Sequence, residues 1–388
     1  MTVQDPRLAD LVRLAEERVD AVTADAIALM RIESPSADHA AVAVSADAVA
    51  AYLADVLGAE PERITIDGVS HVRLRFGSGP TRVVLLAHHD TVWPHGTLDR
   101  LPARVVDGAL RGPGSVDMKT GLVLGVHALR ILREHGVDLD GTTLLVTGDE
   151  ELGSPSSRAL IEETARGAAA ALVLEAGGDA GEVKTERKGT AMYRLTVRGR
   201  ASHAGLAPDA GINATVGLAQ AVLAVAALHA SEPGLSVVPT VISGGTTTNT
   251  VPAEAHVDVD ARASTVAAQL RCDAAIRAIA IDLPGAELLV EGGPNRAPLE
   301  AAASAGLFAR AQRLAAAHGM DELRPIAVGG GSDGNFTAGI GVPTLDGLGA
   351  WGGGAHAEDE HAVVAGLGPR LALLTALVAD LLGEEGPR

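Results

Sequence analysis

Three short apolar runs constrain this chain more than any other feature. Val83-Val84-Leu85-Leu86-Ala87, Thr142 to Thr147 and Ala170 to Leu174 are continuous rather than alternating, the pattern of a strand buried on both faces. Around them lie segments with apolar residues at helical spacing: Leu8 to Met30, Ala41 to Leu57 and Lys119 to Arg133. Strands alternating with helices predict an α/β fold, a mostly parallel sheet sandwiched by helices. Aromatic residues are 2% of the chain, so its core must be built from Ala, Val, Leu and Ile.

The pattern changes after about Gly181. Met192 to Val197 alternates as a strand, Ile212 to Leu228 reads as an apolar helix, and Ser236 to Ile242 and Ala255 to Ala261 read as strands. Val266 to Ile281 follows as a helix and Ala286 to Glu291 as a last strand. The order β-α-β-β-α-β predicts a compact ferredoxin-like α+β unit. From Glu300 the helix-and-strand alternation returns and ends in a helix from Arg370 to Leu382. A chain of 388 residues suits two domains. The expected division is a discontinuous domain of residues 1–186 and 296–388, with residues 187–295 inserted into it.

The net charge of −18 argues against nucleic acid or anionic lipid as partners. The single cysteine, Cys272, excludes an intramolecular disulfide and leaves any metal site to His, Asp and Glu. Asp5, Asp10, Glu16 and Glu17 interrupt the apolar runs near Met1, so no signal peptide is expected. No continuous apolar stretch of about 18 residues is found, so no membrane span is expected and the cytoplasm is the expected compartment.

Each apolar run ends in side chains able to bind a metal: His88-His89-Asp90, Asp149-Glu150-Glu151 and Glu175. In open α/β sheets, ligands bind beyond the carboxyl ends of the strands, so these groups should meet on one rim. Asp117 lies in the Gly-rich turn Gly114 to Lys119, and His356 follows the Gly-rich stretch Trp351 to Gly354. Imidazoles and carboxylates without thiolates suit zinc, with manganese and cobalt as competitors. Two metals about 3.5–4 Å apart need a carboxylate between them, and Asp117 is the natural bridge. Adjacent residues at a strand end point different ways, so one of Glu150 and Glu151 can bind metal while the other takes a proton from water. Asp90 can orient the ring of His88 through its second nitrogen. His89 faces the opposite way, toward packing. His39, His71, His127, His135, His229, His256 and His318 read as ordinary polar residues, and His95 and His361 stay open.

As a set, these residues resemble the M20 metallopeptidases, the group containing glutamate carboxypeptidase, acetylornithine deacetylase and succinyl-diaminopimelate desuccinylase. The matching stretches are His88 to Val92, Gly112 to Lys119, Gly148 to Ser154, Ser202 to Gly205, Asn249 to Pro252 and Gly330 to Asp333. The resemblance implies that His88 and Glu175 bind one metal, that Glu151 and His356 bind a second, and that Asp117 bridges them. It also implies a cis peptide after Asp117, Glu150 as general base and Asp90 as the partner of His88. The inserted domain would be a lid that also forms a homodimer. His203 would hydrogen-bond the carbonyl oxygen as it becomes an oxyanion, often across the dimer, and Asn249 would help bind the same region of the ligand.

The expected reaction is hydrolysis of an amide next to a free carboxylate. Arginine matches a carboxylate with two parallel bonds. Arg262 at the end of a lid strand is the first candidate, with Arg187 and Lys188 as alternatives and Asn295-Arg296 to be tested. Thr91-Val92-Trp93-Pro94 brings the chain nearest to the glutamate carboxypeptidase-like branch, an exopeptidase releasing a C-terminal amino acid from peptides or N-acyl-amino acids. The alternatives are an N-acyl-amino-acid deacylase with the same metals and, more remotely, a non-catalytic binding protein retaining the fold. Trp93 and Trp351, rare aromatics beside the motifs, either line the pocket or pack.

Overall fold

The computed structural model describes residues 10–383; Leu8 and Ala9, at the start of the first expected helix, lie outside them. It divides into two compact units, Met1–Glu186 with Ala301–Val328 and Ser332–Arg388, and Arg187–Glu300 with Gly329–Gly331.

The first unit is built on a six-stranded sheet. Strands β1 (Glu62–Ile66), β2 (Val69–Arg75), β3 (Val83–His88), β4 (Thr142–Thr147) and β5 (Ala170–Val173) lie in the order β1-β2-β4-β3-β5, and a short strand, Thr344–Leu345, completes the far edge. β3 runs parallel to β4 and β5, and Thr344–Leu345 runs parallel to β5. β1 and β2 are antiparallel additions. The continuous apolar run of β3 is explained by two cores. Val83, Leu85 and Ala87 enter a large one with the helices Val19–Met30, Lys119–Glu134 and Leu367–Gly383. Val84 and Leu86 enter another with Leu160, Ile161 and Phe336. Successive side chains on a strand point to opposite faces, so a sheet covered on both sides needs apolar residues at every position.

The helices His39–Leu57 and Val364–Gly383 are long and apolar enough to cross a membrane by length and hydropathy. Both turn apolar residues to the core of this unit, Val49, Leu53 and Leu57 from the first and Leu371, Leu374 and Leu377 from the second. The helix Lys119–Glu134 starts hard against the end of β5: a Cβ on Gly121 would lie 1.9 Å from the Leu174 carbonyl oxygen. Glycine at that position brings the Asp117 turn beside Glu175.

The second unit, taken by itself, is a four-stranded antiparallel sheet with two helices. β6 (Gly189–Arg198), β7 (Ser236–Gly244), β8 (Glu254–Ala263) and β9 (Glu287–Arg296) lie in the order β7-β8-β6-β9. Along β8, Ala255, Val257, Val259 and Ala261 are buried while His256, Asp258, Asp260 and Arg262 are less so, the alternation of a sheet with one wet face. The helices Ala214–Ala226 and Val266–Arg277 are capped by Asn213 and Thr265, whose side chains accept amide hydrogens of the first turn. This unit extends to Glu300 because the two chain crossings pair with each other: Arg296 pairs with Thr190, and Leu299 bridges Arg187.

Candidate metal centre

The ends of β3, β4 and β5 bring one constellation together within the first unit. The His88 Nε2 lies 3.2 Å from Asp117 Oδ1 and 3.6 Å from Glu175 Oε1. The His356 Nε2 lies 3.3 Å from Asp117 Oδ2 and 3.0 Å from Glu151 Oε2. Asp117 thus stands between the two histidines with one oxygen toward each. Ligand atoms of His88, Asp117 and Glu151 fall within 4.8 Å of one another, and so do those of His88, Glu150 and Glu175. The Asp117–Met118 peptide is cis, and His356 has a left-handed backbone with φ +64, a conformation disfavoured for a residue with a Cβ.

Buried acids hold this constellation from behind. Asp90, fully buried, lies 3.4 Å from His88 Nδ1, which also meets the Asp90 carbonyl oxygen at 3.0 Å. Its two carboxylate oxygens accept the amides of Glu150 and Glu151, each at 3.3 Å, so one carboxylate ties the β3 ligand to the β4 acids. Asp149 turns away from the cluster. It accepts the Ser156 amide and hydroxyl, both at 2.7 Å, and the Ser157 hydroxyl at 2.5 Å. Asp333 takes the Thr147 hydroxyl at 2.9 Å and the Ser154 hydroxyl. Glu360 accepts the indole N–H of Trp93 at 2.7 Å and three amides of the Asp117 turn. Sequence reasoning assigned none of Asp149, Asp333 and Glu360 these partners. Asp149 and Asp333 stand in stretches the sequence already singled out, Asp149 as a metal-capable acid, whereas Glu360 was missed and its one signal was an acid four residues beyond His356. Trp93 is buried by its bond to Glu360, and Trp351 packs under the Arg370 guanidinium, 5.2 Å from its ring centre.

A family model for peptidase family M20/M25/M40 matches residues 84–380. The chain belongs to this family. It is 32% identical over 319 residues to carboxypeptidase G2 of Pseudomonas sp. (strain RS-16), covering 79% of this chain and 75% of that one. It is 31% identical over 333 residues to a succinyl-diaminopimelate desuccinylase of Leptothrix cholodnii, covering 80% and 84%. The aminopeptidase PepT of Bacillus cereus shares the fold with a TM-score of 0.73 at 21% identity, covering 94% of this chain and 98% of that one. An M20 family metallo-carboxypeptidase of Sulfolobus solfataricus does so with a TM-score of 0.70 at 16% identity, covering 98% and 100%.

This M20 metallopeptidase has a donor set that fits divalent cations. Atoms bound about 2.0–2.1 Å from a tetrahedral zinc lie roughly 3.4 Å apart along the edges of the tetrahedron. The His–carboxylate pairs here span 3.0 to 3.6 Å. The electrostatics agree. Burial works against a charged His88, yet hydrogen bonds to Asp117, Asp90 and Glu175 outweigh it and raise its pKa well above the usual range. His356 is pushed up to about 10 by its hydrogen bonds to Asp117 and Glu151. Burial raises the Asp117 carboxyl, but hydrogen bonds from His356 and His88 reverse this and hold it far below the carboxylate range. The cluster draws positive charge, which divalent cations supply in place of protons. Enzymes of this family are typically dimetal-dependent.

The other candidates belong to the second unit. His203, exposed, pairs with Thr250 in a two-stranded ladder. Its Nδ1 accepts the amides of Gly205 and Leu206, both at 3.1 Å, which places the ring proton of the neutral form on Nε2. Asn249 is exposed, with its side-chain oxygen accepting the Thr247 hydroxyl at 3.0 Å. Arg262 forms a fork with Asp260, at 2.9 and 3.1 Å, and also donates to the Gly329 carbonyl at 3.1 Å. Arg187 is buried and donates to the carbonyls of Gly330 and Gly331, both at 3.3 Å. Lys188 lies half-buried beside it. Arg296 is buried at the return of β9.

Proposed function

We propose that this enzyme hydrolyses the amide bond next to a free carboxylate and releases a C-terminal amino acid from a peptide or N-acyl-amino acid. The observation that carries the reading is the Asp117-centred cluster of His88, Glu151, Glu175 and His356, with Glu150 beside it, in a chain 32% identical to carboxypeptidase G2. His88 and Glu175 would hold one cation and Glu151 and His356 a second, with Asp117 between; zinc is the assignment, manganese and cobalt the competitors. When bound, the pair supplies Lewis-acid polarisation and a water of lowered pKa.

The chain's own residues do the rest. Glu150 accepts a proton from the attacking water and passes it to the leaving nitrogen. Asp90 keeps His88 and the Glu150-Glu151 backbone in register through its two oxygens. His203 is assigned to the developing oxyanion, for which a proton on Nε2 is the required form. Arg262 is assigned to the substrate carboxylate, with Arg187, Lys188 and Asn249 as further substrate contacts.

We assign the second unit to a lid and to homodimer formation. Its edge strand β7 exposes Val238, Val241 and Ile242, an edge that calls for a covering partner. Sedimentation that shows a monomer at micromolar concentration would end that assignment. The cytoplasm is the assigned compartment, and neither nucleic acid nor membrane is a partner in this reading. A second reading, an N-acyl-amino-acid deacylase, is favoured by the 31% identity to a desuccinylase. Parallel assays of N-acyl-amino acids and N-blocked dipeptides with zinc-loaded enzyme separate the two. Turnover confined to N-acetyl or N-succinyl compounds would replace the carboxypeptidase reading, and no turnover of either class would remove both.

A further inference from the structure

Glu360 lies four residues beyond His356, on a different segment from the other acids of the centre, and it is 3% exposed. Its Oε1 accepts the amides of Val116 at 3.0 Å and Asp117 at 3.3 Å, and lies 3.5 Å from the Ser115 hydroxyl. Its Oε2 accepts the amide of Gly114 at 3.2 Å and the indole N–H of Trp93 at 2.7 Å. One carboxylate therefore closes an anion nest formed by the Gly114–Asp117 turn. The same group grips the segment after Asp90 through Trp93 and is joined by its own backbone to His356. Three pieces of chain that carry His88, Asp117 and His356 converge on it. The Glu360 loop is itself stitched in place, since His361 pairs with Arg111 just before the turn begins.

We propose that Glu360 is a positioning residue for the metal centre: it sets where Asp117 stands between His88 and His356, acting through the backbone of the Gly114–Asp117 turn. The inference rests on the metal-centre reading above. An amide at this position could not do the same work. Gln has one oxygen and one NH2, and the two sides of the Glu360 carboxylate both face N–H donors. Whichever way the amide turns, donors on one side lose their acceptor and meet another donor. The turn must then shift at the Gly114–Trp93 side or at the Val116–Asp117 side.

The test is metal binding by the full-length chain after chelation, measured with Zn2+ by competition and with Co2+ by its visible absorption. Glu360→Gln is expected to weaken affinity for at least one cation about 10- to 100-fold, the range for residues supporting metal ligands, and to alter the cobalt spectrum. With metal saturating, kcat should fall while KM stays near the wild-type value. If Glu360→Gln does not fold, Trp93→Phe removes a single donor from Oε2 and should shift the cobalt spectrum in the same direction by less. A variant that folds with wild-type affinity and an unchanged cobalt spectrum, and has merely a lowered Tm, would overturn the proposal. If the wild-type chain binds neither cation, it is the metal-centre reading that fails.

Discussion

His88 is 1% exposed and meets the side chains of Asp90, Asp117 and Glu175, whereas His203 stands exposed with its ring nitrogen held by two amides of its own turn. The same contrast separates Asp90, whose oxygens join two strand ends, from Arg262, whose fork is satisfied by Asp260 two residues away. In the first unit, buried groups hold one another in place, and removing one leaves the rest without partners in low dielectric. In the second, His203 and Asn249 are exposed and bonded within their own turns, and Arg262 is half-buried on its neighbour Asp260, while Arg187 is buried against the Gly330 and Gly331 carbonyls. The residues assigned to the chemistry are thus fixed by the fold. Those assigned to substrate choice lie in the other unit, and one fold can carry different specificities.

Four substitutions press on that contrast, in order of falling effect. Glu150→Gln should lower kcat by about 10²–10⁴-fold, or roughly 3–5 kcal/mol, while metal content stays intact; near-normal turnover would remove Glu150 from the reaction. His203→Ala should lower kcat by about 10²–10³-fold, roughly 2.7–4 kcal/mol, as loss of one oxyanion donor does. Steady-state kinetics with unchanged kcat would return His203 to an ordinary surface turn. Asp149→Ala leaves the buried Ser156 and Ser157 hydroxyls without their acceptor, and denaturant unfolding should show a loss of about 1.5–3 kcal/mol. An undiminished midpoint would mean that the turn does not depend on this acid. Arg262→Lys should raise KM about tenfold with kcat nearly constant, about 1.4 kcal/mol of uniform binding. If KM does not move, Arg187 or Lys188 takes precedence.

The contrast also explains what could be read from the residues alone. The runs at β3, β4 and β5 were legible because burial on both faces forces continuous apolar sequence, and acids at the ends of such runs are costly to bury unless paired. The β1–β2 hairpin escaped the sequence reading, although Asp67-Gly68, with φ +50 and +85, is the two-residue turn that joins it. Its strands are short and carry Arg63, Arg73 and Arg75 among apolar residues, which blurs the alternation. The binding partners of Asp149 and Glu360 were illegible for another reason. A buried carboxylate that accepts backbone amides has no side-chain signature at its target, so neither Ser156 nor the Gly114–Asp117 turn announces it.

The most direct measurement is a calorimetric titration of chelator-treated enzyme with Zn2+, run beside Asp117→Ala. Two equivalents should bind to the wild-type chain, since both ligand pairs share Asp117, and the variant should lose at least one of them. A wild-type stoichiometry of one or less, or an Asp117→Ala titration that matches it, would contradict the account.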